Sequence, residues 1–459
     1  MNRAEELKTL APWTESVPAG WRVTRLDAAA DVLFSNVDKH TIDGETPVRL
    51  CNYVDVYKND RITSGIDFME ASAEEREIRK FQIRRGDVLA TKDSEEADDI
   101  AISSLVAEEL PGVLCGYHLA MIRPRFESVS GSYLAWLHAS KPFRAQYEAK
   151  AVGVTRFGLS QYAFRAARIP LPPLSEQQRI AAYLDASCAA IDAAVAAKRR
   201  QIDTLDALRK SAASQVLSQG LRPGMPQRDS GIESIGLIPA HWDVKQLRYA
   251  CEVNYGITLQ LEKGQSAGDG VRILTVSNLT IDGNLDLEDE YYIDPAELTK
   301  TDYLRRGDLL FNWRNGSQYH VGKTAFFDME GEVAHVSFLL RIRCGRHMYP
   351  FFLSSYLGVL KDAGFFAGAK DKVNKTFNST ELKRLRVVIP PMDEQKEACR
   401  EIERRTKECN DVKAAIESQI DTLTAYRKSL IHECGTGQRR ITEADVQRAV
   451  GQAGQACAG

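Results

Sequence analysis

Between residues 389 and 438 the apolar residues Ile402, Cys409, Ile416, Leu423 and Leu430 recur every seven positions among charged and amide residues, with Val412 and Tyr426 as intermediate positions of the stripe. A seven-residue spacing keeps one helix face against a partner, so the pattern predicts a coiled-coil helix. The stretch after Pro173 keeps the same register with Leu184, Ile191, Leu205 and Ala212, interrupted at Lys198. No Gly or Pro falls between Pro173 and Gly220, or between Pro391 and Gly435. Each helix is therefore expected to run about 44 residues, roughly 65 Å at 1.5 Å per residue. A rod with an apolar seam needs a partner, and the nearest candidate is the other rod.

The two rods are copies of one segment. Pro172-Pro173-Leu174-Ser175-Glu176-Gln177 returns 218 residues later as Pro390-Pro391-Met392-Asp393-Glu394-Gln395, and 15 of the 40 positions from Pro172 to Ser211 are identical at that offset. The prolines end whatever precedes them, and Ser175 and Asp393 are residue types that cap helix N-termini. The repeat extends beyond the rods. Val17-Pro18-Ala19-Gly20-Trp21 is echoed by Ile238-Pro239-Ala240-His241-Trp242, and Arg84-Arg85-Gly86-Asp87 by Arg305-Arg306-Gly307-Asp308. The expected order is a globular half at 1–170, a helix at 171–220, a second half at 221–388, a second helix at 389–438 and a tail at 439–459, itself expected to be disordered or a crossing segment. Within the halves, residues 48–56, 87–91, 113–123, 272–276, 308–313 and 333–342 pattern as short strands, and 133–150 and 351–365 as helices. The fold class is α/β, with mixed α+β globular halves, a pseudo-two-fold internal repeat and two long helices forming an antiparallel coiled coil.

Composition narrows the function only by exclusion. The 459 residues carry a net charge of −3, so any nucleic-acid surface must be local. Nine cysteines stand singly without a CxxC pair, which fits a reducing compartment. No apolar run approaches a membrane span and the N-terminus is too acidic for a signal peptide, so the expected location is the cytoplasm. The eight histidines show no HExxH spacing, and no Cys/His cluster suggests a metal. Ser317 to Thr324 ends in Gly322-Lys323-Thr324, but it lacks the leading Gly of a phosphate loop, and Ala325-Phe326-Phe327 reads as a strand where a helix is required. The Gly-Asp pairs read as tight turns, and the acidic stretch 93–109 as a solvated loop turned away from any phosphate backbone.

Charge gathers just before each rod. Residues 141–168 hold Lys141, Arg144, Lys150, Arg156, Arg165 and Arg168 against Glu148 alone, and 361–386 holds seven basic residues against three acids. Both segments contain a polar loop. Basic residues beside polar ones suit DNA, since Lys and Arg neutralise phosphates while Arg and Asn can pair with base edges. The candidate DNA contacts are Lys150, Thr155 and Arg156 in the first half, and Arg314, Asn315, Lys372, Asn374 and Lys375 in the second.

Tandem Pro-Pro-(Leu/Met)-x-Glu-Gln helices after two globular halves resemble the specificity subunits of type I restriction-modification systems. Asp229-Ser230-Gly231-Ile232-Glu233 before Trp242 looks like the entry to a target-recognition domain. The resemblance covers all but about the last twenty residues. It implies a non-catalytic subunit that binds double-stranded DNA, two methyltransferase subunits and translocating restriction subunits. It implies no cofactor in this chain: S-adenosylmethionine would serve the methyltransferase, which modifies adenine, and ATP with Mg the restriction subunit. Antiparallel rods would then measure the spacer of a bipartite, asymmetric site, and removing four residues from one rod is expected to shorten it by about one base pair or abolish binding. Two other readings remain: a coiled-coil adaptor that never touches DNA, and a nucleotide-using enzyme built on Gly322-Lys323-Thr324.

Overall fold

The computed structural model describes residues 17–222, 224–258, 270–281, 283–315, 320–366 and 375–458. They form two compact units. Unit 1 joins the first α/β half to residues up to Arg199 and from Glu417 onward, and unit 2 spans Arg200–Ile416. The two long helices, Leu174–Gln219 and Met392–Thr436, thus each give one end to each unit.

The main sheet of unit 1 runs in the order Ala30–Phe34, Leu119–Pro124, Val88–Thr91, Ser103–Val106, Arg61–Ile62. In unit 2 the same order is Cys251–Tyr255, Leu339–Cys344, Leu309–Asn312, Thr324–Phe326. A three-stranded sheet accompanies each, with Thr46–Cys51 or Val271–Leu274 at its centre. Side chains alternate faces along a strand. Val88 and Ala90 therefore enter one core of unit 1 while Leu89 enters the other, and Leu309 and Phe311 are likewise separated from Leu310 in unit 2.

The shared motifs tie each half to its helices. Gln177 is fully buried: its Oε1 accepts from the Ser130 N–H at 2.8 Å, and its Nε2 donates to the carbonyls of Ser128 and Pro172 at 3.1 and 2.9 Å. Gln395 repeats the arrangement with Tyr349, His347 and Pro390. Trp21 donates its indole N–H to Glu176 at 3.1 Å, and Trp242 to Glu394 at 2.8 Å. The glycine after the opposite helix end packs on the same tryptophan. A Cβ on Gly437 would lie 3.1 Å from the Trp21 ring, and one on Gly220 equally close to Trp242. Burial alone would push the Glu394 carboxyl up, but the bonds from Trp242 and His241 outweigh it and hold it below the ordinary range.

Each helix starts two residues earlier than a cap at Ser175 or Asp393 would place it. The carbonyls of Pro173 and Pro391 accept the first turn's N–H groups, so Ser175 and Asp393 lie inside the helix and do not cap it. The pairing is antiparallel within each unit, with Arg427 on Asp192 and Lys198 on Gln419 in unit 1, and Lys413 on Asp206 in unit 2. Leu184, Ile191 and Leu430 are buried, and Leu205, Ile402, Cys409, Ile416 and Leu423 half-buried. Val412 and Tyr426 instead face out, 48% and 47% exposed. The intermediate stripe lies one residue later, at Lys413, Ile420 and Arg427, where two basic side chains make ion pairs with the opposite helix.

Several strand and helix expectations change. Residues 48–56 divide into a strand ending at Cys51 and a helix, Tyr53–Lys58, capped by Asn52 and Asp55. Residues 133–150 divide into Gly131–Ala139 and Lys141–Glu148, as Pro142 cannot supply the N–H of a continuous helix. Residues 113–123 break after Cys115, and 333–342 after His335. The tail is ordered: Glu443–Ala458 is a helix, Ile441 and Val446 join the core of unit 1, and Arg440 pairs with Glu176 at 2.8 Å. One window of the first long helix has a mean hydropathy of 1.5, enough by length and composition to cross a membrane, which corrects the expectation that no run approaches a span. Its Asp185 and Asp192 pair with Arg61 and Arg427, and its Ile180, Leu184, Cys188 and Ile191 line the core of unit 1.

Candidate nucleic-acid interface

Beside the main sheet of each unit lies a separate two-residue antiparallel ladder. In unit 1 Asp93–Ser94 pairs with Phe157–Gly158, and in unit 2 Arg314–Asn315 pairs with Lys375–Thr376. These ladders join a strand exit to the basic loop that precedes each rod, so charge distant in sequence converges there.

In unit 1 the loop is a closed hairpin. Val152 and Gly158 exchange backbone hydrogen bonds at 3.1 and 2.9 Å, and the Leu159 N–H donates to the Lys92 carbonyl. Gly153 is required sterically, because a Cβ there would sit 1.9 Å from the Arg156 carbonyl oxygen. Arg156 turns back on Asp93, its Nε and Nη2 donating to Oδ1 at 3.1 and 2.5 Å. The other oxygen, Oδ2, lies 2.7 Å from Nδ1 of His118. Asp93 is 16% exposed and Arg156 54%. Next to this triad the Lys92 ammonium lies 4.3 Å from the Tyr117 ring centre and donates to the Ser35 carbonyl; burial lowers its pKa. Tyr53 and Tyr57 stack nearby, and the Tyr57 hydroxyl donates to Asp99.

Unit 2 has different chemistry at the same place. Arg314 is exposed, with its guanidinium 5.9 Å from the Phe338 ring centre. Trp313 meets Tyr255 edge-on and donates to the Ser337 carbonyl at 2.7 Å.

Of the residues singled out in the sequence, Thr155 and Arg156 lie together on the hairpin, both exposed, and the half-buried Lys150 just precedes it. Arg314 lies on the second ladder with the backbone of Asn315 and Lys375. Lys372 and Asn374 lie outside the described residues. Asp93, His118, Lys92 and Tyr117 escaped the sequence reading, which set the acidic stretch 93–109 aside as solvated. The repeat carried the missing signal, since Arg314 less the 221-residue offset is Asp93.

The remaining motifs are structural. Gly86 has a φ of +91°, and Asp87, 1% exposed, accepts from the Arg84 N–H and from Arg123 at 2.9 and 2.7 Å; Asp308 does the same with Arg305 and Arg343. Lys323 is buried, donates to the Leu279 carbonyl, and precedes the strand Thr324–Phe326. Among the described residues no His/Cys/Asp/Glu group could hold a metal ion.

These features define a class: internally duplicated α/β proteins whose two units share the ends of two long antiparallel helices. Residues 54–202 match the model of the type I restriction modification DNA specificity domain. The chain is 29% identical over 209 residues to the putative type I restriction enzyme MjaX specificity subunit of Methanocaldococcus jannaschii, covering 44% of this chain and 47% of that protein. It is 22% identical over 335 residues to the EcoKI specificity subunit of Escherichia coli K12, covering 71% of this chain and 68% of that one. The chain thus aligns with about half of the archaeal relative's length and two thirds of the bacterial one's. The HsdS subunit from Thermoanaerobacter tengcongensis shares the fold, at 19% identity and a TM-score of 0.56 over 92% of this chain and 98% of that one. So does a chain from work on assembly and conformational transition of the type I R-M system, at 19% identity and a TM-score of 0.70 over 91% and 98%. The chain is thus similar to type I restriction enzyme specificity subunits over the aligned stretches, and its residues 54–202 carry the match to their DNA specificity domain.

Proposed function

We propose that this chain is the non-catalytic reader of its complex and recognises a bipartite, asymmetric DNA site, one half-site per unit. One observation carries the reading: the same two-residue ladder stands in both units, with Asp93 on one, bonded by Arg156 from the adjoining hairpin, and Arg314 on the other. Equivalent positions with unlike donors and acceptors suit unlike bases. Two methyltransferase subunits and the restriction subunits dock on the chain in the cytoplasm. S-adenosylmethionine for adenine methylation, and ATP with Mg for translocation, belong to those partners. The test is to express the chain with its partner methyltransferase and map adenine methylation across the host genome. A two-part motif that appears only when this chain is present is the expected result. Methylation without a motif, or DNA binding whose affinity is insensitive to salt, would instead favour an adaptor that makes no phosphate contacts.

A further inference from the structure

Resting on that reading, we infer that Arg156 reads a guanine in the half-site of unit 1, and that Asp93 and His118 are positioning residues that hold it for the purpose. Arginine recognises guanine by presenting two parallel N–H groups to O6 and N7 in the major groove. A free arginine side chain must give up rotamer entropy to do so, and a second carboxylate bond removes much of that cost in advance. Here Nε and Nη2 are both held on Oδ1 of Asp93, so one edge of the guanidinium is committed to the protein. The outer edge, carrying Nη1 and the second hydrogen of Nη2, is claimed by no described residue, and the side chain is 54% exposed.

The carboxylate is itself held. Its Oδ2 faces Nδ1 of His118 at 2.7 Å, and its backbone is locked in the ladder with Gly158. With both oxygens engaged and only 16% of its side chain exposed, Asp93 is poorly placed to accept from a base directly. It acts through Arg156. The hairpin is equally constrained by the Val152–Gly158 bonds and the close approach at Gly153. A purely structural ion pair would need neither the outward fork nor the second-layer histidine. In unit 2 Arg314 occupies the place of Asp93 and stands over the Phe338 ring, so the two units place unlike chemistry at the same point.

The experiment is motif mapping by genome-wide adenine methylation, backed by selection from a randomised duplex pool, using the complete complex of this chain with its methyltransferase. Wild type should show a guanine position in one half-site. Arg156→Lys keeps the charge but loses the fork, and should lower the guanine preference at that single position by about 5- to 150-fold while leaving the other half-site unchanged. Asp93→Ala should relax the same position, Asp93→Glu should restore part of the preference, and the double variant Arg156→Lys/Asp93→Ala should be no looser than Arg156→Lys alone. Arg156→Lys with an unaltered motif, or with binding weakened equally at every sequence, overturns the inference and leaves Arg156 a structural or phosphate contact. Relaxation by Asp93→Ala at a different position overturns the role of Asp93. Should Asp93→Ala not fold, the exposed substitutions Arg156→Lys and Arg156→Gln decide the matter. A wild-type complex with no motif sinks the proposed function itself, and is thereby distinguishable from a wild-type motif that Arg156→Lys leaves untouched.

Discussion

The buried carboxylate of Asp87 keeps its charge because both of its oxygens are partnered. Asp87 is almost fully buried and receives two bonds from Arg123. Asp87→Ala strands that guanidinium, and should cost about 3–5 kcal/mol in denaturant unfolding of unit 1. Asp87→Asn should cost less, since an acceptor remains. His138 works in the opposite sense. Its ring nitrogens meet the Leu134 carbonyl and the Tyr147 hydroxyl, and burial drives its pKa down from 6.5 to about 4. The unfolded chain therefore takes up a proton that the folded chain resists. The stability from keeping His138 neutral is fully present above pH 6.5 and is lost as the pH falls toward 4. A fall from 6.5 to about 4 corresponds to about 3 kcal/mol. Thermal unfolding between pH 7 and 4.5 should show this loss in wild type and a shallower one in His138→Gln; equal slopes would refute the assignment.

At the scale of elements, the junctions matter more than the rods. A helix that begins Pro-Pro has no side-chain cap in either copy, and its first turn rests on the carbonyl of the second proline. What anchors it is the glutamine four residues later, whose amide bridges the half it has just left. Gln177→Ala leaves a buried N–H and two carbonyls without partners, which should cost about 2–3 kcal/mol. Gln177→Glu should be no better, because a second acceptor would then face the carbonyls of Ser128 and Pro172. Urea melts followed by tryptophan fluorescence report it directly through Trp21, and unchanged midpoints for both variants would mean that the amide contributes nothing to the junction. These contacts explain why the sequence repeats Glu-Gln and Pro-Ala-x-Trp but lets most of the intervening helix drift. The repeated residues meet at one place in each unit, around Trp21 and Trp242.

Across the whole molecule, the division of both helices between two units is what makes spacing adjustable under the proposed function. Deleting four residues from one rod removes about 6 Å and turns the downstream part of the helix about 40° beyond a full turn. The mapped motif should then keep both half-sites while its spacer shortens by one or two base-pair rises of 3.4 Å, or methylation should cease. An unaltered spacer in an active variant would rule out a measuring role for the rods.

Much of this was legible in the sequence because a repeat is an internal comparison: the two halves and the two rods with their apolar seam follow from one offset and one seven-residue period, while the cross-helix pairs establish the antiparallel direction. The seam's detail was not, because the stripe at Lys413 and Arg427 is polar. Only the opposite helix, with Asp206 and Asp192, shows those residues to be inward. The order of the tail was hidden for a similar reason: Ile441 and Val446 gain meaning only from the core they enter. The candidate interface shows the same divide. Arg156 was visible as a basic residue on a Gly-containing loop, whereas Asp93, 63 residues away, looked like part of a solvated acidic run. A sequence determines periodicity and local charge, because those belong to neighbours along the chain. Which charges face one another is decided by the ladder that brings two distant segments to hydrogen-bonding distance, and that belongs to the tertiary structure alone.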